Sequence, residues 1–128
     1  MKIKQFILSA VGVFVFVFLY DFVVHGILLK ELYIKTSSVW RSESEQLMIF
    51  MFISQICFSA VMALLYFCCD RKTPSLGIMI GLLLGSIQIG TYAYMPIPLT
   101  LTIYWVIAAI LKGTGAGLIL SISSQKPE

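Results

Sequence analysis

Four long apolar runs dominate this chain, at about residues 6–29, 47–69, 76–95 and 99–122. Each has about 20 residues or more, enough at about 1.5 Å per residue to cross a hydrocarbon core of about 30 Å. Lipid offers the backbone no hydrogen-bond partner, so each run must satisfy its own peptide groups, as a helix does. A membrane barrel would need alternating strands of roughly ten residues, and that pattern is not found in the sequence. The expected fold is all-α: one domain over residues 1–128, an integral membrane four-helix transmembrane bundle with short loops.

Composition agrees. Hydrophobic residues make up 59% of the 128 and charged residues only 12%, whereas a soluble domain is usually nearer half apolar and a quarter charged. The net charge of +3 has no basic cluster behind it, so no nucleic-acid partner is expected, and the lipid bilayer is the expected surroundings. The first run resembles a signal peptide in following Lys2 and Lys4. It is too long for one, however, and no A-x-A-like site follows, so it is expected to stay as an uncleaved first span. Cys57, Cys68 and Cys69 are poorly spaced for a disulfide framework or a zinc site. They read as small hydrophobes facing lipid or a neighbouring helix, with acylation of the terminal pair as the alternative.

Positive charge favours the cytoplasmic side. Lys2, Lys4, Arg71, Lys72 and Lys126 fall on one side of the bundle, against Lys30, Lys35 and Arg41 on the other. Five against three favours both termini in the cytoplasm. Ser42-Glu43-Ser44-Glu45 has the spacing of a capping box ahead of the second span. Thr73-Pro74 fits an N-cap followed by proline in the first turn. Met95-Pro96-Ile97-Pro98 should join spans 3 and 4 through a tight hairpin. Tyr33, Trp40, Tyr94 and Tyr104 are expected at the outer interface as an aromatic belt. Residues 30–46, with Leu32, Tyr33, Ile34, Val39 and Trp40, are expected to lie on the membrane surface.

Helices in lipid associate chiefly by close packing. Gly77, Gly81 and Gly85 recur every four residues along span 3, and Ala109, Gly113, Gly117 and Ser121 do so along span 4. These two small-residue ridges are expected to pack against each other within the chain, with homodimerisation through one ridge as the alternative. Gly115 falls outside the spacing and is expected to tolerate substitution better.

Polar residues within the spans carry the functional question. Asp21 lies roughly 12 Å below the outer end of span 1, and Gln55 and Gln88 lie at similar depths in spans 2 and 3. His25 and Tyr92 form a second layer nearer the surface. Lys112, near the middle of span 4, leans toward its own N-terminus and so toward Asp21. A buried Asp21–Lys112 ion pair would remove much of the about 2.5–3.5 kcal/mol that an unpaired central charge costs. This polar intramembrane cluster reads in two main ways. It holds helices together, or it forms a proton or small-solute pathway, since ionisable groups within spans often mark such routes. One His and one Asp make a thin ligand set, so no metal is expected, and nothing points to a cofactor. No nucleophile–base pair, G-x-S-x-G or phosphate-cradling loop is present, so no catalytic site is expected.

The run Asp21-x-x-x-His25-Gly26-x-Leu28-Leu29, followed by Tyr33, Trp40-Arg41 and Pro96-Ile97-Pro98 before Trp105, resembles a group of uncharacterised small bacterial inner-membrane proteins. The resemblance covers nearly the whole chain. It implies four spans in a bacterial inner membrane and no particular activity. Small multidrug transporters also carry an acid in the first of four short helices, but there it sits near the middle of the span, and their later motifs do not match. The functional expectation is a small non-enzymatic membrane protein, an accessory or assembly component of larger membrane-protein subunits or of a homodimer. The alternative is a small-solute or proton-linked transporter using Asp21 and His25.

Overall fold

A computed structural model describes residues 3–69 and 73–123. Lys2, Arg71, Lys72 and Lys126, which enter the charge count for orientation, lie outside the described residues. The fold is all-α, with no strand among the described residues. Helix α1 (Ile3–Val23) runs on into a π-helical turn (Val24–Leu28), and the short α2 (Lys30–Lys35) follows. The remaining helices are α3 (Met48–Cys68), α4 (Pro74–Tyr92) and α5 (Leu99–Ser123). Four helical segments, Ile3–Leu28, α3, α4 and α5, are long and apolar enough to cross a bilayer. This is the make-up of a multi-pass membrane protein. Their outward faces are covered with exposed Ile, Leu, Val, Phe and Met side chains, as a lipid-facing surface requires.

Local chemistry sets the ends. Thr73 is extended (φ −113°, ψ 152°) and Pro74 occupies the first turn of α4, where its missing N–H is no loss. Helix α4 stops at Tyr92, three residues before the expected end at 95. A proline ring clashes with the carbonyl four residues before it; for Pro96 that residue is Tyr92. The Ser42–Glu45 capping box is also corrected. The Ser42 hydroxyl donates to the Glu45 carboxylate at 2.8 Å rather than accepting a backbone N–H. The segment closes only a 3₁₀ turn (Glu43–Glu45), Gln46 is extended (ψ 130°), and α3 begins at Met48.

Helix α5 is the hub, in contact with α1, α3 and α4. Of its most apolar window 39% is buried, against 17–22% for the other three spans. Against α4 the two backbones nearly touch. A Cβ added to Gly81 would stand 2.8 Å from the Ile110 Cα, and one on Gly117 would stand 2.8 Å from the Gly77 Cα. A Cβ on Gly113 would stand 2.6 Å from the Gly81 Cα. Gly85 and Ala109 are buried along the same seam, and Ser121 is buried on α5. Both ridges are therefore used within the chain. Gly115 does not have the room expected of it, because the Phe16 ring of α1 occupies the place of its Cβ. The open position is Gly90, with nothing within 4 Å. Cys57 and Cys68 are exposed on α3 and Cys69 partly so, all as free thiols.

Two apolar cores stack along the bundle. One, toward the chain termini, joins Val13 and Val17 of α1 to Met62, Ala63 and Tyr66 of α3 and to Ala116 and Leu120 of α5. The other, at the opposite end, gathers Leu29, Ile97 and Leu101 with Leu32, Tyr33, Val39, Trp40 and Trp105. Residues 30–46 therefore do not simply lie on the membrane. Leu32, Tyr33, Val39 and Trp40 fold back over the end of α5 and cap it. Only Ile34 of the five points away, at 62% exposure. Tyr33 and Trp40 belong to this cap, whereas Tyr94 (90%) and Tyr104 (46%) stay exposed.

Near the terminal end, Tyr66 is fully buried. Its hydroxyl donates to the Thr73 carbonyl at 2.9 Å and accepts the Gly77 N–H at 3.1 Å. Residues 73 and 77 would otherwise share the first hydrogen bond of α4; the phenol stands inside it and locks α3 to α4. Tyr66→Phe leaves the buried Gly77 N–H without this partner, at about 1–3 kcal/mol, while the exposed Thr73 carbonyl keeps the Leu76 N–H at 3.3 Å. The expected outcome is a lower unfolding temperature in detergent with helix content unchanged; an unaltered melt would show that the hydroxyl contributes nothing.

Candidate functional site

Between the two cores lies a polar layer. The Lys112 ammonium of α5 meets the Asp21 Oδ1 of α1 at 2.8 Å, and the Gln55 amide of α3 donates to Asp21 Oδ2 at 3.1 Å. Three helices are thus tied through one carboxylate, with each of its oxygens engaged. The side chains of Asp21 and Lys112 are only 13% and 22% exposed, so the pair is largely shielded. Gln55 is buried, and its own carbonyl accepts the Ser59 hydroxyl at 2.7 Å. Close by, the Tyr20 hydroxyl donates to the Ala108 carbonyl at 2.7 Å, a further tie from α1 to α5.

His25 sits in the π-helical turn, where the Leu29 N–H reaches back five residues to the Val24 carbonyl at 2.9 Å. Such a turn holds one more residue than an α-turn, and π-turns within helices often occur at functional sites. The His25 Nδ1 lies 2.6 Å from the Tyr33 hydroxyl, which also accepts the Trp105 indole N–H at 2.7 Å. With the indole as donor, the phenol proton is free for Nδ1, which leaves the imidazole proton on Nε2. Burial pushes the Tyr33 phenol above its ordinary value, against a smaller downward pull from the Trp105 N–H, so Tyr33 stays protonated. A second chain of bonds holds the cap behind it: the Trp40 indole donates to the Thr36 hydroxyl at 2.8 Å, which donates to the Leu32 carbonyl at 2.7 Å.

The two networks face a common cavity of about 250 Å³. Its polar lining is His25, Tyr33, Gln88 and Lys112, and Trp105 with Ala108 and Ala109 supplies the apolar wall. Gln88 lines this space and has no hydrogen bond among the described residues.

Tyr92 does not join His25, contrary to the expected second layer. It is 42% exposed and lines a separate apolar groove with Leu99, Thr102 and Val106. The reason is helical phase. Tyr92 follows Gly85 by seven residues, two turns, and so stays over α5 in line with the glycine ridge. The partner of His25 is Tyr33. Neither Tyr33 nor Trp105 stands out as a site residue in the sequence, because their meeting depends on residues 30–46 folding back onto α5. The aromatic character and flanking position of Tyr33 pointed to an interface belt, which many Tyr and Trp residues of membrane proteins occupy, and Trp105 entered only as part of the resemblance. The π-turn likewise has no local signal beyond Gly26.

Among the described residues no three His, Cys, Asp or Glu side chains come together as a metal site would need. In comparisons with models of protein families, with curated proteins and with solved structures, no match to this chain was found.

Proposed function

We propose that this is a small non-enzymatic membrane protein of a bacterial inner membrane, acting as an accessory or assembly component beside larger membrane subunits. The observation that carries this reading is the neutralised layer: the two deep charges of the spans, Asp21 and Lys112, are spent on each other and on Gln55. A group so engaged serves packing rather than proton transfer. The apolar outer faces of α3 and α4 supply the surface that a larger subunit would cover. The D-x-x-x-H-G-x-L-L and P-I-P pattern supports the bacterial setting, and the charge count supports termini in the cytoplasm.

A second reading, a small-solute or proton-linked carrier, is favoured by the cavity between His25, Gln88 and Lys112. The two separate experimentally. Purification in mild detergent should bring larger membrane subunits down with the tagged chain, and the pure chain in liposomes should show no uptake or proton flux. Flux that is lost in Asp21→Asn while the fold persists would establish the carrier instead.

A further inference from the structure

The cavity beside the ion pair has a chemical preference. Its polar wall offers mainly donors. Lys112 has ammonium protons beyond the one given to Asp21. The Tyr33–Trp105 arrangement leaves the His25 proton on Nε2. Gln88 brings an amide with no hydrogen bond among the described residues. A ligand that satisfies these donors must present acceptor oxygens. It must also be neutral, because Asp21 and Lys112 already cancel and an added anion would leave one uncompensated charge inside the membrane. Shape narrows the choice further. Trp105 and the two small residues Ala108 and Ala109 make a wall suited to a flat group. From Lys112 to Trp105 is seven residues, roughly 10 Å along α5, and 250 Å³ is room for a ring-sized head rather than a large solute. The span runs from the polar cap toward the bilayer centre, where an attached hydrocarbon tail would lie.

We propose that this cavity binds the carbonyl-bearing head of a neutral membrane-borne molecule, its oxygens accepting from Gln88, His25 and Lys112 and its flat face against Trp105. The chemistry is shared by a quinone ring and by the ester carbonyl of a lipid. The proposal goes beyond the packing role of Asp21 and rests on it in one respect, the neutral charge that the Asp21–Lys112 pair gives the site.

Trp105 provides the readout. The full chain is placed in nanodiscs of ether lipids, which lack ester carbonyls, and a decyl-tailed benzoquinone is titrated while indole fluorescence is followed. Saturable quenching is expected. Gln88→Leu, which breaks no bond of the fold, and Ala108→Val, which fills the cavity, should each weaken it about tenfold or more. Gly90→Ala, which adds its methyl to open space, should match wild type. A parallel measurement identifies the lipid source: an ester lipid retained by wild type through detergent exchange, and lost from Ala108→Val, assigns the carbonyl to lipid. Linear quenching, or wild-type affinity in both cavity variants, combined with no lipid difference between wild type and Ala108→Val, would overturn the site.

Discussion

Lys112→Met is expected to lower stability in detergent by about 3 kcal/mol, the scale of leaving one member of a shielded ion pair without its partner. Asp21 would then keep only the Gln55 amide and face the membrane interior as an uncompensated anion. Asp21→Leu should cost a similar amount, now through an orphaned ammonium. The informative variant is the double one. With both charges gone the site becomes apolar, and Lys112→Met should recover most of what Asp21→Leu loses. A double-mutant cycle measures this directly, because residues in contact show coupling that distant ones do not. Losses that simply add would mean that the 2.8 Å contact contributes nothing and that the polar layer has another purpose.

Gly81→Leu should be at least as damaging, at about 3 kcal/mol or more, the upper end of overpacking effects. What stands 2.8 Å from the missing Cβ is the Ile110 backbone itself, and backbone cannot swing aside as a side chain can. Helices α4 and α5 would have to separate along their whole seam. Gly90→Leu is the matched control: the same substitution on the same helix, pointing where nothing stands within 4 Å, with an expected change within about 0.5 kcal/mol. Thermal unfolding of both variants in one detergent decides the matter, and equal melting of Gly81→Leu and wild type would remove the ridge argument.

The limits of reading such a chain are set by how local each signal is. Hydropathy over about 20 residues is local, so the four spans are legible without a structure, and prolines mark the hairpin. The four-residue spacing of Gly77, Gly81 and Gly85 is local too, and these glycines lie against α5 in the fold. Depth counting is less secure, because it gives height and not direction. It places Asp21, Gln55 and Gln88 at one depth, and the lean of Lys112 brings it to Asp21. Asp21, Gln55 and Lys112 do meet, but the same count set Tyr92 in one layer with His25, and helical phase carries Tyr92 elsewhere. Tyr33, Trp105 and Tyr66 needed the tertiary fold. Each acts through a hydroxyl or indole N–H whose partner lies on another element, and nothing in the neighbouring sequence points to it.

The central place of α5 also bears on how the chain is made. The spans α1, α3 and α4 all lean on α5, which follows them in the chain. Asp21 and its ion-pair partner are separated by 91 residues, which at about 5–20 residues per second is roughly 5–18 s of translation. During that interval the carboxylate of α1 is in or near the membrane with Gln55 as its only later-arriving partner, and the glycine face of α4 has no helix to meet. The ribosome therefore delivers an incomplete bundle whose polar layer and bare ridge are completed together when α5 enters, so a nascent chain stalled before residue 99 would present to the insertion machinery the two surfaces that the finished protein hides.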